Sequence, residues 1–353
     1  MRPDNVTPPT RTPWGGRIIR ERLKRGLSLP GAGDAVVGES WEVSVEPSFP
    51  SRFADDDGLL AQAIAADPVA WLGAAGAERY DGQTPLLVKL LDAADNLSVQ
   101  VHPRADDPAL AADESGKPEG WYVLAAAPGA GLYLGFEDGV ERADVAACLR
   151  ARGPLDEFMN FVPVAAGDGF VLPAGTAHAI GAGVTLVEPQ LVHPGRRGLT
   201  YRLWDWNRRY DQHGRPSPTG QARELHVTRS LAVNDWAGPR GRELLARCRQ
   251  TPRLVERGPL SRTRVLSWSH FTTERWAGRG ALDLDTGDEL VALVCVAGAA
   301  EIASAAGTLT LSRGQSAVIP AHTGRFSVHT RAHPQDGDVA VDILATRAGD
   351  IRP

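Results

Sequence analysis

Gln100-Val101-His102 closes a short apolar–polar alternation that begins at Leu97 and runs straight into Pro103. On a strand, successive side chains take opposite faces, so Gln100 and His102 share one face and Val101 takes the other. An amide oxygen and an imidazole nitrogen placed in this way make half of a metal site. Two later segments supply the other half. Lys117-Pro118-Glu119 brings a carboxylate just ahead of the strand-like run 121–124. Gly167 to His178 has the form Gly-x5-Pro-x-Gly-x2-His, which reads as a strand, a tight turn and a second strand presenting its histidine inward. Proline presets φ and glycine permits the unusual backbone that such a turn needs. Gln100, His102, Glu119 and His178 are a donor set for Zn²⁺ or another borderline divalent ion, and a catalytic site keeps one position open for water or substrate. Singly, each piece is an ordinary polar strand face, a solvated carboxylate or a loop histidine. The combination points to a metal.

Positioning such a site takes a β scaffold. The chain has 353 residues, enough for two modest cores. Its 26 prolines and 38 glycines punctuate short apolar runs, which favours many short strands joined by turns. Strands are expected at 40–45, 86–91, 98–102, 121–125, 131–135, 161–163, 169–172, 185–190 and 200–206. Helical spacing or charge placement marks 58–66, 106–112 and 138–152, with a short helix at 224–232. Residues 207–223 are polar and turn-rich, an exposed loop. Pro239, Gly241, Pro252 and Gly258 mark a connection. The expected organisation is therefore a metal-binding β domain with helical insertions over 1–240, a connection at 241–260 and a smaller β domain over 261–353. An internal echo supports the second domain: Gly314 to Ala321 repeats the Gly-x5-Pro-x frame, with Arg325 where the first copy has His178. The second copy is expected to lack the metal.

Composition narrows the function classes. The net charge of −5 argues against nucleic acid and anionic membranes as partners. Cys148, Cys248 and Cys295 are far apart and form no CxxC, against a disulfide framework or a cysteine zinc site. No apolar stretch has the length of a membrane span, and the first residues carry no signal-type apolar core. The expectation is a cytoplasmic protein acting on a small molecule.

The Gly-x5-Pro-x-Gly-x2-His frame resembles the second motif of the cupin superfamily, whose fold is a jelly roll. The usual first cupin motif, with two histidines and a nearby glutamate, is not present. Gln100-Val-His102 followed by Lys117-Pro-Glu119 instead resembles the type I mannose-6-phosphate isomerases. So do Trp14-Gly-Gly16, Gly38-Glu-Ser-Trp-Glu42, Leu86-Leu-Val-Lys89, Pro173-Ala-Gly-Thr-Ala-His178, Thr200-Tyr-Arg202 and Arg223-Glu-Leu-His226, in the family's order over roughly residues 14–230. The resemblance implies a jelly-roll catalytic domain and one zinc ion on Gln100, His102, Glu119 and His178. It also implies interconversion of mannose 6-phosphate and fructose 6-phosphate. There are two departures. Gly116 stands where many members have a histidine, and Leu191 to Gly198 replaces a shorter Ser-Asp-containing stretch. The altered loop leaves two other readings open: another metal-dependent sugar isomerase or epimerase on this scaffold, or a sugar-binding cupin without catalysis.

An aldose–ketose isomerase moves a proton between C2 and C1 through a cis-enediol. A bound cation can polarise the sugar oxygens, and fixed positive charge adds to that effect. Arg202, on the strand-like Thr-Tyr-Arg-Leu-Trp, is the candidate for stabilising the enediolate. Lys117 and Glu188 are both candidates for the base, the first through its nearness to a divalent cation, the second through burial behind Val184 to Val187. Lys89, Arg196 and Arg197 are candidates for the substrate phosphate.

Overall fold

The structure is a computed structural model that describes residues 1–333, 337 and 339–349. The first part of the chain contributes β1 (Glu39–Val43), β2 (Leu86–Ala93), β3 (Val99–Val101), β4 (Glu114–Ser115), β5 (Glu119–Ala126), β6 (Gly131–Phe136), β7 (Met159–Pro163), β8 (Gly169–Leu172), β9 (His178–Ile180), β10 (Val184–Leu191), β11 (Arg197–Gly198), β12 (Tyr201–Trp204) and β13 (Arg249–Gln250). The second part adds β14 (Arg253–Glu256), β15 (Leu260–Ser267), β16 (Phe271–Gly278), β17 (Ala281–Asp285), β18 (Val291–Ala297), β19 (Ala299–Ser304), β20 (Gly307–Ser312), β21 (Ser316–Ile319), β22 (Arg325–Arg331) and β23 (Val341–Ala348). The helices are α1 (Leu60–Ala66), α2 (Pro68–Arg79), α3 (Arg142–Arg150), α4 (Val227–Val233) and α5 (Gly241–Cys248).

Four sheets stack. A five-stranded sheet in the order β12-β3-β9-β6-β7 faces a six-stranded sheet in the order β1-β2-β10-β5-β8-β13. Together they form a jelly-roll sandwich of the cupin kind. Behind it, β14-β15-β16-β23-β18-β21 packs against β17-β22-β19-β20 as a second, smaller sandwich. The two middle sheets share one core, in which Leu90, Tyr122 and Val187 of the first part meet Leu266, Phe271, Ala292 and Leu344 of the second. The six-stranded sheet of the first part is therefore covered on both faces. Every residue of β2 and of β10 is buried, which explains their nearly unbroken apolar runs. The polar letters within them, Lys89, Glu188 and Gln190, are forced inside.

All nine expected strands are present with ends shifted by one or two residues. The helices differ more. Residues 106–112 are turns, because Asp107 precedes Pro108, which disfavours helical backbone, and the Asp107 carboxylate accepts the Ala109 amide at 2.8 Å. The helix expected over 138–152 starts only at Arg142: Gly139 sits at φ 83° and breaks it, and Glu141 and Asp144 close a reciprocal cap. Helix α2 was not expected. Its signals are Asp67, which caps the Ala70 amide, and Pro68 at the first turn. The 241–260 segment is no bare linker. It holds α5 and β13, which pairs with β8, then β14, which pairs with β15. Among the described residues, no helix is long and apolar enough to cross a membrane.

Candidate metal centre and active site

The site lies between the two sheets of the first sandwich. Strand alternation decides which side chains reach it. Ala179 on β9 and Ala177 just before it pack outward into the core beneath α3 and α4, so His178 points inward. On β3, Val99 joins that outer core, so Gln100 points inward, and it lies opposite His178 in the register. On β5, Tyr122 packs into the shared rear core while Glu119 and Trp121 face the cavity. The ligand-bearing segments are tied together by backbone. Gly175, at φ 80°, donates its amide to the His102 carbonyl at 2.9 Å. A Cβ at Gly175 would lie 3.0 Å from the Val233 carbonyl oxygen, so the turn needs glycine there.

The His102, Glu119 and His178 donor atoms lie within 4.8 Å of one another, and all three residues are buried. The Nδ1 of His102 lies 2.8 Å from the Leu199 carbonyl, and that of His178 lies 2.8 Å from the Thr176 carbonyl. A carbonyl only accepts, so each Nδ1 carries a proton, and in a neutral ring that leaves the lone pair on Nε2. Those lone pairs face Glu119, with Nε2 of His102 3.1 Å from Oε2 and Nε2 of His178 2.9 Å from Oε1. Burial, then the charge of Lys117, pushes His102 down to about 4, so its ring is neutral. Lone pair then faces carboxylate oxygen in a buried space, an arrangement that calls for a cation between them. The residues thus fit a metal ion, and the backbone acceptors behind both rings are the outer support that metal-binding histidines require.

Glu119 is held from other sides as well. The amide of Gln190, directly opposite on β10, donates to Oε2 at 2.9 Å, and Lys117 Nζ lies 3.3 Å from the same oxygen. Burial alone would raise this carboxyl, yet Lys117, His102 and His178 outweigh it and hold it well below the usual range. Glu188 has the opposite fate. Burial, then the nearby charge of Glu119, pushes it up to about 7, although the Trp121 indole N–H donates to its Oε1 at 2.9 Å. Two carboxyl groups in one cavity are driven apart, one fixed as an anion and one poised to exchange a proton near neutrality.

Glu119, His178, Trp121 and Glu188 line a cavity of about 260 Å³ that also includes Arg11, Glu39, Lys89, Ser98, Gln100, Lys117, Thr200, Arg202 and Arg223. Lys89 is buried, 3.8 Å from Glu39 and 4.1 Å from the centre of the Trp41 ring. Burial lowers its affinity for a proton, partly offset by Glu39. Arg202 donates to Ser98 Oγ at 3.3 Å and to the Glu224 carbonyl at 2.9 Å, with no carboxylate at ion-pair distance among the described residues. Arg196 and Arg197 do not line the cavity, contrary to expectation. Strand β11 pairs in parallel with β4, and Arg197 reaches outward to Glu114 at 3.1 Å. The loop they sit on serves the site through its backbone, since Leu199 supplies the acceptor for His102.

Sequence reasoning missed Trp121, Gln190, Arg11 and Arg223, whose roles depend on cross-strand register and on loops folding back. It also left Gly116 unexplained. A Cβ there would come within 2.8 Å of the Pro103 oxygen and the Ala105 nitrogen, so this backbone excludes the histidine that many relatives carry.

Residues 10–127 match the family model of the phosphomannose isomerase type I catalytic domain, and residues 262–333 match that of the mannose-6-phosphate isomerase cupin domain. A mannose-6-phosphate isomerase of Streptococcus mutans is 30% identical over 312 residues, spanning 87% of this chain and 88% of the relative. Among solved structures, the mannose 6-phosphate isomerase of Bacillus subtilis superposes with a TM-score of 0.73 at 20% identity, covering 94% of this chain and 95% of that one. A mannose 6-phosphate isomerase bound with zinc and yttrium superposes at 0.67 with 18% identity, covering 98% of each chain. By sequence and fold together, this chain belongs to the type I phosphomannose isomerase family.

Proposed function

We propose that the chain interconverts mannose 6-phosphate and fructose 6-phosphate in a zinc-dependent reaction that passes through a cis-enediol. The observation that carries this reading is a buried cation-demanding cluster, His102, Glu119 and His178, beside a separately held carboxyl, Glu188, which lines the same cavity as Glu119 and His178. Gln100 is assigned as the fourth ligand because its strand register and facing direction match His178. Zinc, when bound there, would supply Lewis-acid polarisation of the sugar oxygens.

The chain's own residues do the rest. Glu188 takes the proton from C2 on its free Oε2; the electron pair of the broken C–H bond forms the C1–C2 double bond and the C1=O π pair moves onto O1. A proton passes from the C2 hydroxyl to O1, the double bond opens as C2=O forms, and Glu188 returns its proton to C1. An affinity near neutrality suits both halves of that exchange. Lys117, 3.3 Å from Glu119, is assigned to hold that carboxylate rather than to take the proton. Arg202 is assigned to the developing enediolate oxygen, for it is a largely buried guanidinium with no carboxylate partner of its own. We also place the boundary between the catalytic part and the second part within 241–260, where pairing passes from one stack to the other.

The test is metal analysis of the purified protein together with a coupled assay on mannose 6-phosphate. About one zinc per chain and turnover are expected. A zinc-loaded protein that turns over neither phosphosugar defeats the assignment.

A further inference from the structure

The two places where this chain departs from the family's pattern meet at one buried side chain. Gly116 stands where many members have a histidine, and Leu191 to Gly198 forms the longer loop. Ser115, the second residue of β4, lies between them and is 3% exposed. Its hydroxyl donates to the Gly116 carbonyl at 2.7 Å and accepts the His193 amide at 3.0 Å. Its own carbonyl accepts the Leu199 amide at 3.0 Å. One residue thus grips the loop near both ends, and the parallel bridge of β11 to β4 sets Gly198 beside it.

No core anchors this loop. None of residues 193–200 is buried, and Gly195, at φ 73°, stands in open space. The Arg197–Glu114 pair is partly exposed, and such pairs contribute little. The position of the loop therefore rests on its hydrogen bonds to β4. That position matters because of what the loop delivers. The Leu199 carbonyl lies 2.8 Å from His102 Nδ1. An acceptor behind a metal-binding imidazole fixes the orientation of the ring and the nitrogen it presents to the metal. His178 draws the same support from the Thr176 carbonyl, inside its own turn. His102 instead depends on a loop distant in sequence, and that loop depends on Ser115.

We infer that Ser115 is a positioning residue for the metal centre, acting through Leu199 on His102. The proposal rests on the metal reading above and gives the altered loop a task in it. The loop is an outer support of one ligand, and the Ser115 hydroxyl is the tie that keeps it in place.

The experiment measures zinc affinity of the full chain by competition with a chelator. It also records the ring N–H signals of the zinc-loaded chain carrying isotope-labelled histidine. Ser51→Ala is the control. Ser51 is 2% exposed, and its hydroxyl likewise accepts one backbone amide, that of Ser44 at 3.0 Å, and donates to one carbonyl, that of Glu42 at 3.4 Å. It does not line the cavity. Ser115→Ala should weaken zinc binding about tenfold, the lower end of the loss for outer supports of a metal ligand, whereas Ser51→Ala should stay within about twofold of wild type. In wild type, His102 and His178 should both show slowly exchanging Nδ1–H signals. In Ser115→Ala the His102 signal should be lost to exchange with water while the His178 signal stays, a split that general loosening of the fold would not produce. Zinc affinity unchanged in Ser115→Ala, an equal loss in Ser51→Ala, a retained His102 signal, or loss of both histidine signals together would each overturn the proposal. None of these readings needs turnover. A wild type that turns over neither phosphosugar, with zinc affinity still dependent on Ser115, would instead defeat the isomerase reading and leave the positioning role standing.

Discussion

Trp121→Phe isolates the device that holds Glu188. The indole N–H lies 2.9 Å from Glu188 Oε1, and the indole ring stands edge-on to His178 with centroids 5.4 Å apart. Phenylalanine keeps an aromatic ring in that place and removes the donor. A hydrogen bond to a charged group contributes about 1.5–3 kcal/mol, which corresponds to roughly 1–2 pKa units. The bond favours the carboxylate, so its loss raises Glu188 further above its value of about 7. If Glu188 must be ionised to accept the C2 proton, about half of the wild-type enzyme is competent at pH 7. A rise of one unit leaves about a tenth, and a rise of two units about a hundredth. The expected fall in kcat/KM at pH 7 is therefore about 5- to 50-fold, with recovery toward wild-type rates above about pH 9. The assay is the pH profile of kcat/KM on zinc-loaded protein, read for the position of its acidic limb. A loss of the same proportion at every pH, with the limb unmoved, would refute the reasoning. Trp121 would then act through packing, or Glu188 would not be the base.

Three other outcomes follow from the same geometry. Glu188 has a folded value of about 7 against an ordinary 4.5, so the stability due to its protonated form is complete below pH 4.5 and is lost as pH rises through 7. Glu188→Gln should accordingly be more stable than wild type at pH 8 by up to about 3 kcal/mol and nearly equal to it at about pH 4; denaturant melts of metal-free protein that differ by one amount at both pH values would contradict this. His102→Ala and His178→Ala should lose bound metal and turnover together, and a variant with full metal content by elemental analysis would remove that residue from the ligand set. Lys24 and Glu42 form a 2.8 Å pair, each side chain 1% exposed, so Lys24→Met leaves a buried carboxylate alone. The cost should be about 3–5 kcal/mol in urea unfolding at neutral pH; a loss below about 1 kcal/mol would mean that water or another group satisfies Glu42.

The chemistry of the centre was legible because strand alternation and turn chemistry are local properties. Gln100 and His102 share a face by parity alone, and Pro173 and Gly175 build the turn that delivers His178. What could not be read was which strands become neighbours. Gln190 supports Glu119 only because β10 and β5 place them opposite one another, and Trp121 reaches Glu188 across the same pair. The placement of two phosphate candidates could not be read for a related reason. Arg196 and Arg197 are close to the site in sequence, but the parallel bridge of β11 to β4 turns Arg197 outward, while Arg223 returns from a loop that composition marks only as polar. The misread helix at 106–112 shows the other limit, where apolar spacing was outweighed by one Asp-Pro step.

No described residue of the second part of the chain lines the cavity, yet that part shapes the behaviour of the proposed reacting groups. Its Phe271 ring packs against Gly120, the residue between Glu119 and Trp121; a Cβ there would come within 2.9 Å of the ring. Phe271, Leu266, Ala292 and Leu344 close the rear of the sheet whose front carries Lys89, Glu119 and Glu188. A sheet covered on one face would let water reach its strands from behind and relax the cost of charge on them. Covered on both, it leaves each charged group dependent on its partner. Lys89 has Glu39, and Glu119 has Lys117 and the two imidazoles. Glu188 has only an indole N–H, and no cation at ion-pair distance among the described residues. Burial, and then the charge of Glu119, outweigh the partial relief that Lys89, Lys117 and the indole give Glu188, so this one carboxyl holds its proton up to neutrality. The second sandwich, none of whose described residues lines the cavity, thus tunes the proposed base through the dielectric behind it.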